Sequence, residues 1–274
     1  MTNFLLSIIC VVLMMEPVFA QQTPPQDAPQ SARNTAQDLT PEQRGRLEKL
    51  ARLQKNFGKS MNSPGVDLAL KEMSRSHGTD RTLVTYELHA TGFPANSIFT
   101  LYQVQLDGSI IKNLEGVTID SKGIAICAGK EGTCQGNGPN DPIDLIVFAG
   151  KAEPKRFALV SDDDAHLKAF AATVPFPSFT TDKNCKLESV IGTPKGELTF
   201  VQGTGFEPNE ELIIDSESYG EKHHDITKAD GDGYYFSAVM PYVSGKKSGK
   251  TVWQVNGKNC HPKLTFTWGT YQLE

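Results

Sequence analysis

An acidic turn late in the chain has the spacing that opens a calcium-binding loop. Asp230–Gly233 reads Asp-Gly-Asp-Gly, and carboxylates two residues apart can converge on one cation. The EF-hand pattern would also require glycine at Tyr235 and glutamate at Pro241, so we interpret the run as a glycine-rich turn between strands. Three adjacent carboxylates at Asp162–Asp164 are typical of a solvated loop. The sequence leaves open whether the acidic turns near Asp230 and Asp162 bind a cation.

Two adjacent histidines raise the question of a transition-metal site. His223, His224 and Asp225 could supply ligands, with His261 as a distant third imidazole. Neighbouring side chains of a strand point to opposite faces, so His223 and His224 are not expected to face one ion. We interpret these residues as exposed polar side chains, and we expect neither a metal nor another cofactor.

A lysine-rich run resembles a nucleotide-binding loop without completing it. Residues 244–251 read Ser-Gly-Lys-Lys-Ser-Gly-Lys-Thr, and Ser244 stands where the phosphate-binding motif requires glycine. That motif connects a strand to a helix, whereas this run joins two strand patterns, which favours a surface turn. The chain also lacks the Gly-x-Ser-x-Gly and His-Glu-x-x-His motifs of hydrolases. We therefore predict that the protein is not an enzyme.

Composition excludes several further classes of protein. The chain has 274 residues, of which 38% are hydrophobic and 22% are charged, with a net charge of −5. This is enough for one large domain or two small ones with a buried core. Basic residues are scattered, and no Arg-rich stripe interleaves with aromatic residues, so nucleic acid is not expected as a partner.

The N-terminus predicts export from the cytoplasm. Phe4–Met15 is an apolar run too short to span a bilayer, and Val18–Ala20 offers small residues where signal peptidase cleaves. Residues 1–20 are therefore predicted to be a signal peptide, with cleavage near Ala20. No second apolar run of about 18 residues follows, so membrane insertion after cleavage is not expected. The predicted location is secreted, either periplasmic or extracellular.

A tether and one helix are predicted to follow the signal peptide. Residues 21–39 are rich in Pro and Gln and are predicted to be disordered, because they offer almost no apolar surface to bury. Residues 40–58 are predicted to be a helix, since Thr40 fits an N-cap and Gln43 completes a capping box. The narrow apolar stripe of this helix, which suits docking on a sheet or a partner helix, consists of Leu47, Leu50, Leu53 and Phe57.

Beyond Val66 the hydrophobic pattern changes to a period of two, which predicts an all-β fold. Val84, Tyr86 and Leu88 alternate with polar residues. The pattern is also repeated along the chain, which predicts two tandem modules, residues 64–178 and 184–274. Pro175–Lys183 between them is expected to be poorly packed. Three pairs of segments carry the repeat: Leu88–Asn96 with Val201–Asn209, Asp120–Gly123 with Asp230–Gly233, and Val147–Lys151 with Gln254–Lys258.

The repeated segments resemble the Ig-like repeats of bacterial secreted and surface proteins. The resemblance rests on a Gly-Phe-x-Pro-type turn, an Asp-x-x-Gly turn and a terminal aromatic strand. It implies two immunoglobulin-like sandwiches of about seven strands each, and it brings no catalytic residue. We further expect Gly92 and Gly205 to adopt a backbone geometry closed to residues with a Cβ, which lets Phe93 and Phe206 turn inward.

Four cysteines remain after the signal peptide, and an even number in an exported chain predicts two disulfides among three possible pairings. Cys127 and Cys134 bracket a short loop, and spacing favours their pairing. Cys185 and Cys260 are predicted to lie at the starts of the first and last strands of the second module, which are commonly neighbours in the Ig-like fold that the repeat resembles, so their pairing is favoured as well. Zinc is not expected, since the chain has no Cys-x-x-Cys.

The sequence thus predicts a secreted, non-enzymatic protein for binding, adhesion or envelope structure, whose partner is an extracellular or periplasmic protein or a glycan. A glycan-binding module is the alternative, with Tyr219 and Tyr235 predicted to be exposed for stacking on sugars. An accessory or degenerate hydrolase subunit is a further alternative. Three structural features would distinguish these alternatives. An open strand edge would favour a protein partner, and a coplanar pair of exposed aromatic rings would favour a glycan. A deep polar pocket would favour an enzyme.

Overall fold

The computed structural model describes residues 59–79, 81–128, 140–163 and 165–269. The predicted signal peptide (1–20), tether (21–39) and helix (40–58) lie outside the described residues, as does Cys134. A short 3-10 turn, Lys59–Met61, precedes the first strand. In the part of the chain described, no helix has the length and hydropathy needed to cross a bilayer.

The N-terminal half forms two antiparallel sheets. One sheet has the strand order β1-β2-β6, and the other has the order β5-β4-β3-β7-β8. Alternating side chains of β2 are buried between the sheets, as the period of two predicts. The strands are β1 (Asp67–His77), β2 (Arg81–Thr91), β3 (Phe99–Val104), β4 (Ile110–Ile119), β5 (Ala125–Cys127), β6 (Asp144–Gly150), β7 (Lys155–Ser161) and β8 (Lys168–Thr173).

The C-terminal half forms a second pair of antiparallel sheets. Their strand orders are β14-β11-β10-β9 and β13-β12-β15-β16. A separate apolar core lies between them, distinct from that of the first pair. The strands are β9 (Ser178–Asp182), β10 (Cys185–Ile191), β11 (Thr199–Thr204), β12 (Glu211–Ser218), β13 (Glu221–Lys228), β14 (Tyr235–Val239), β15 (Gly249–Asn256) and β16 (Lys263–Trp268).

The two halves share one topology. The order β1-β2-β6 corresponds to β10-β11-β14, and β4-β3-β7-β8 corresponds to β13-β12-β15-β16. The chain crosses from one sheet to the other after β2 in the first half and after the equivalent β11 in the second, as it does in an immunoglobulin-like sandwich. The predicted all-β fold of two tandem Ig-like sandwiches is therefore confirmed, while the predicted module bounds, 64–178 and 184–274, stay a prediction.

One of the three predicted pairs of repeated segments is wrong. Val147–Lys151 includes the end of β6, which pairs with β2, whereas Gln254–Lys258 includes the end of β15, which pairs with β12 and β16. By topology β15 corresponds to β7, so the similarity of these two segments reflects similar turns at different places.

The expectation that little packs within Pro175–Lys183 is also wrong. This segment contains β9, which pairs with β10, and its residue Ser178 is fully buried.

Tyr235 is buried, which corrects the prediction that its ring faces solvent. Its relative exposure is 2%. The ring occupies the space opposite Gly203, where an added Cβ would lie 3.2 Å from Tyr235 Cδ1 and 2.7 Å from Phe206 Cε2. A glycine in the facing strand thus makes room for two aromatic rings. The partly buried neighbours Tyr234 and Phe236 flank it on the other face.

Candidate functional site

One sheet edge of the first sandwich carries exposed apolar side chains. β6 is the last strand of the order β1-β2-β6, and among the described strands it pairs with β2 alone. Ile146 and Phe148 on its outer face are 59% and 64% exposed. The intervening Leu145 and Val147 point into the core. β6 therefore buries one apolar face and presents a second to solvent.

The backbone of Ile146 and Phe148 also faces the open edge. The Ala90 N–H of β2 donates to Gly123 O, on the side of β2 where β6 lies, and the Gly78 N–H donates to Arg81 O, on the side of β1. Successive residues of a strand direct their N–H and C=O groups to opposite sides of the strand. Val84 is an even number of residues from Ala90, so its backbone groups bond to β6 as those of Ala90 point to that side. Val147 is paired with Val84, so the N–H and C=O groups of Ile146 and Phe148 point away from the sheet.

Two other edge strands of the first sandwich, β1 and β8, carry protection that β6 lacks. The backbone of β8 is capped, since Ser63 N–H donates to Lys168 O and Phe170 N–H donates to Asn62 Oδ1. The edge strand β1 has a bulge between Glu72 and Ser74 and an ion pair between Arg75 and Glu72. Charges and bulges are the usual means of preventing strand addition.

The edge strand β13 provides the closest comparison with β6. It also exposes an isoleucine, Ile226, at 52%. However, Glu221, Lys222 and Lys228 are exposed along the same strand. A free edge with several charges resists pairing with another chain, whereas β6 has exposed apolar residues at its centre.

Three of the four cysteines that follow the predicted signal peptide lie within the described residues. Cys185 and Cys260 form a disulfide with a Cα–Cα distance of 6.1 Å, which joins the start of β10 to the turn between β15 and β16. Cys127 is also disulfide-bonded. Its predicted partner Cys134 lies outside the described residues, so the Cys127–Cys134 pairing stays a prediction.

The acidic turn at Asp230 uses its carboxylate to hold the backbone. Asp230 Oδ1 accepts hydrogen bonds of 2.9 Å from the N–H groups of Asp232 and Tyr234. Asp120 Oδ1 in the first sandwich accepts the same two bonds, at 2.8 Å, from Lys122 and Ile124. The two turns share one geometry, so the carboxylate serves the turn itself.

The carboxylates of the acidic run at Asp162 accept hydrogen bonds from neighbouring hydroxyl groups. Asp162 Oδ1 accepts a hydrogen bond of 2.8 Å from the Thr100 hydroxyl, and Asp163 Oδ1 accepts one of 2.8 Å from the Ser161 hydroxyl. Asp164 lies outside the described residues. Within the ranges described, no three side chains of His, Cys, Asp or Glu are grouped as a metal site would require.

The histidines are not brought together. His224 Nδ1 lies 2.8 Å from Asp215 Oδ1 on the outer face of β13 and β12. His223 is paired with Ser216 and points between the sheets. The backbone N–H of His261 donates to Asp182 Oδ2 in another part of the sandwich. The prediction that His223 and His224 point to opposite faces is therefore confirmed.

The predicted aromatic pair for glycan stacking does not exist, because Tyr235 is buried. Tyr219 is exposed as predicted, at 55%, in the turn between β12 and β13. Its hydroxyl donates to Ser248 O at 2.6 Å, and its ring packs edge-to-face on Trp268. Lys246 Nζ lies 5.0 Å from the centre of the Tyr219 ring. This ring is thus held by neighbouring groups.

Sequence reasoning missed Ile146 and Phe148. They belong to the continuous apolar run Leu145–Ala149, and such a run is also typical of a strand buried on both faces. Only the sheet order shows that one face of this run remains exposed.

No protein-family model and no curated protein matches the chain. Among solved structures, a tetra-tandem repeat from the extending region of a large adhesion protein is similar at 11% identity and a TM-score of 0.22, over 74% of this chain and 49% of that one. A structure of a 1.5-MDa bacterial ice-binding adhesin, described for host cell surface retention, is similar at 10% identity and a TM-score of 0.21, over 75% and 64%. A Ca2+-stabilized adhesin of an Antarctic bacterium that binds ice is similar at 14% identity and a TM-score of 0.17, over 68% and 43%. The chain thus spans between 43% and 64% of the length of these three structures, and likenesses of this size identify no family.

Proposed function

We propose that the protein is a secreted, non-enzymatic binding protein that captures an extended segment of another protein along the free edge of β6. The observation that carries this proposal is the coincidence of backbone groups that point away from the sheet and exposed apolar side chains at Ile146 and Phe148. An added strand gains affinity from main-chain hydrogen bonds and specificity from alternate side chains. Both requirements are met at the same two residues.

The geometry also favours one kind of partner segment. Its strand would run beside β6 with alternate apolar side chains next to Ile146 and Phe148, because side chains on one face of a sheet repeat every second residue. Asp144 is exposed at one end of β6 and Lys151 is exposed just beyond the other end. A segment with a basic residue near Asp144 and an acidic residue near Lys151 would therefore fit best.

Selection from a library of linear peptides tests the proposal. The chain without residues 1–20 is used as bait, and selected peptides are expected to be extended, with apolar residues at alternate positions. Ile146→Lys is expected to abolish their binding, whereas the matched variant Ile226→Lys on β13 is expected to leave it unchanged. Peptides that bind equally well to both variants, or a library that yields no binder, would overturn the proposal. Pairing of two β6 edges would instead be detected as a dimer that Ile146→Lys dissociates, and would contradict capture of a different protein.

A further inference from the structure

One sheet of the first sandwich, β5-β4-β3-β7-β8, buries side chains on both of its faces. In β7, Phe157 and Leu159 belong to the core between the sheets, whereas Ala158 and Val160 belong to a separate cluster with Phe170 of β8. Alternate residues of a strand point to opposite faces, so this separate cluster lies on the outer face of the sheet. Its three members are 2%, 5% and 2% exposed. The outer face is therefore apolar and shielded from water.

The equivalent sheet of the second sandwich has a polar outer face. Its strands β12 and β15 correspond to β3 and β7. The buried residues of β12 alternate with Asp215 and Glu217, which are exposed, as is Lys263 of β16. An antiparallel sheet commonly packs one face on the core and leaves the other to water. The first sandwich departs from this pattern, which indicates that a further layer covers its outer face.

Met61, in the 3-10 turn before β1, lies on this outer face. Among the described residues, it is the only apolar side chain from outside the sheet that packs against Ala158, Val160 and Phe170. Tyr102 of β3 lies beside Ala158 and extends the apolar face to a third strand. One methionine side chain is too small to cover three strands, so a further segment is needed to shield this face.

The chain just before β1 is fixed at the edge of the same sheet. Ser63 N–H donates to Lys168 O at 2.8 Å, and Phe170 N–H donates to Asn62 Oδ1 at 2.9 Å. These bonds hold the start of the described chain on β8, next to the outer face. The residues that precede Lys59 are thus tethered beside this face at a high effective concentration, which an independent chain does not have.

We propose that residues 40–58, the predicted amphipathic helix, dock on this outer face as a third layer. A helix rises 1.5 Å per residue, so the apolar stripe of the predicted helix is about 15 Å long. Three strand spacings of about 4.8 Å, from β8 to β4, give about 14 Å. A single helix of this length is marginal in water and gains its stability from packing an apolar side. The stripe consists of Leu47, Leu50, Leu53 and Phe57.

The proposed docking extends the first module and sets where the tether leaves it. The module would begin near residue 40, before the predicted bound at residue 64. The predicted tether, residues 21–39, would leave on the side of the sandwich away from the sheet that contains β6. The docking face and the β6 edge lie in different sheets, so failure of this proposal leaves the proposed capture of a protein segment untouched.

Amide hydrogen exchange over residues 47–57, in the chain without residues 1–20, provides the test. Exchange is expected to be at least about tenfold slower than in Ala158→Glu, which places a charge at the centre of the outer face. Thr265→Glu, at an exposed position on the equivalent sheet of the second sandwich, is the matched control and is expected to keep exchange slow. Rapid exchange in the original chain, or slow exchange that persists in Ala158→Glu, would overturn the proposal.

Variants within the predicted helix test the docking even if Ala158→Glu does not fold. Leu50→Ala is expected to lower the thermal midpoint of the first sandwich by about 5 °C or more, because it removes a buried side chain while alanine favours a helix. Lys55→Ala, on the opposite side of the predicted helix, is expected to leave the midpoint within about 1 °C. Equal midpoints would argue against docking through the stripe. Slow exchange over residues 47–57 that becomes rapid on dilution would assign the face to a second copy of the chain, and would also overturn the proposal.

Discussion

A Cβ atom added to Gly205 would lie 2.0 Å from the carbonyl oxygen of Asn184, the residue immediately before β10. The equivalent Gly92 stands in the same relation to Gly65, at 1.8 Å. Both glycines have positive φ angles, +87° and +78°, where residues with a Cβ are strained. The expectation that the repeated Gly-Phe turn excludes other residues is therefore confirmed in both sandwiches.

Gly205→Ala is expected to lower the free energy of unfolding more than Gly220→Ala does. Gly220 also has a positive φ, +83°, but nothing lies within 4 Å of its added Cβ. Gly220→Ala should thus cost only the strain of the left-handed conformation, about 1–2 kcal/mol, whereas Gly205→Ala must also displace backbone. Urea denaturation measures both, with Gly231→Ala as a control because its added Cβ meets nothing within 4 Å. Equal losses at Gly205 and Gly220 would contradict the close approach to Asn184.

Phe206→Ala is expected to destabilise the second sandwich by about 3–5 kcal/mol, the loss of transfer energy and the cavity together. Phe206 is 5% exposed and shares its core with Tyr235, so Tyr235→Ala should be destabilising as well. Phe148→Ala, at an exposed ring, is expected to change stability by less than about 0.5 kcal/mol. Thermal melts of the three variants decide the order, and a loss at Phe148 equal to that at Phe206 would show that β6 is already covered.

Replacing Cys185 and Cys260 together by alanine is expected to lower stability by about 4–5 kcal/mol in the loop-entropy model. The disulfide closes a sequence separation of 75 residues, which makes the entropic term large. Chemical denaturation of the variant with Cys127 and Cys134 intact measures this loss of stability.

Peptide mapping without reduction is expected to recover Cys127 joined to Cys134. A peptide joining either of these cysteines to Cys185 or Cys260 would refute the predicted pairing.

Acid is expected to weaken the first sandwich through Glu87. The hydrogen bond with His89, at 2.6 Å, and then the one from Lys71, at 3.1 Å, lower the pKa of Glu87 below its usual value of about 4.3. A carboxyl group whose pKa is lowered on folding stabilises the fold above its unfolded pKa, and this contribution is lost as the pH falls through the folded value. Glu87→Gln should therefore flatten the dependence of the unfolding free energy on pH below about 4.3. An unchanged slope in that range would contradict the role of these two hydrogen bonds.

The parts of the fold that follow from local chemistry could be read from the sequence. The alternation at Val84, Tyr86 and Leu88 needs only a sheet with one buried face, and these residues are buried as predicted. The turns at Asp120 and Asp230 likewise depend on a side chain and its own nearby backbone. Such features repeat faithfully between the two sandwiches.

The features that depend on distant parts of the chain could not be read in this way. Tyr235 turns inward because Gly203 in another strand leaves space for its ring. The exposure of Ile146 and Phe148 depends on β6 being the last strand of its sheet. The positions of these residues depend on strand order and register, and neither can be predicted from a single sequence.

Amide hydrogen exchange in β6, measured with and without a selected peptide, tests the central claim most directly. In the free protein the amides of Leu145 and Val147 are expected to exchange slowly, because they bond to β2, whereas those of Ile146 and Phe148 exchange rapidly. The peptide is expected to slow exchange at Ile146 and Phe148 and to leave β13 unchanged. Slow exchange at Ile146 and Phe148 in the free protein, or protection by the peptide at another edge, would contradict strand capture by β6.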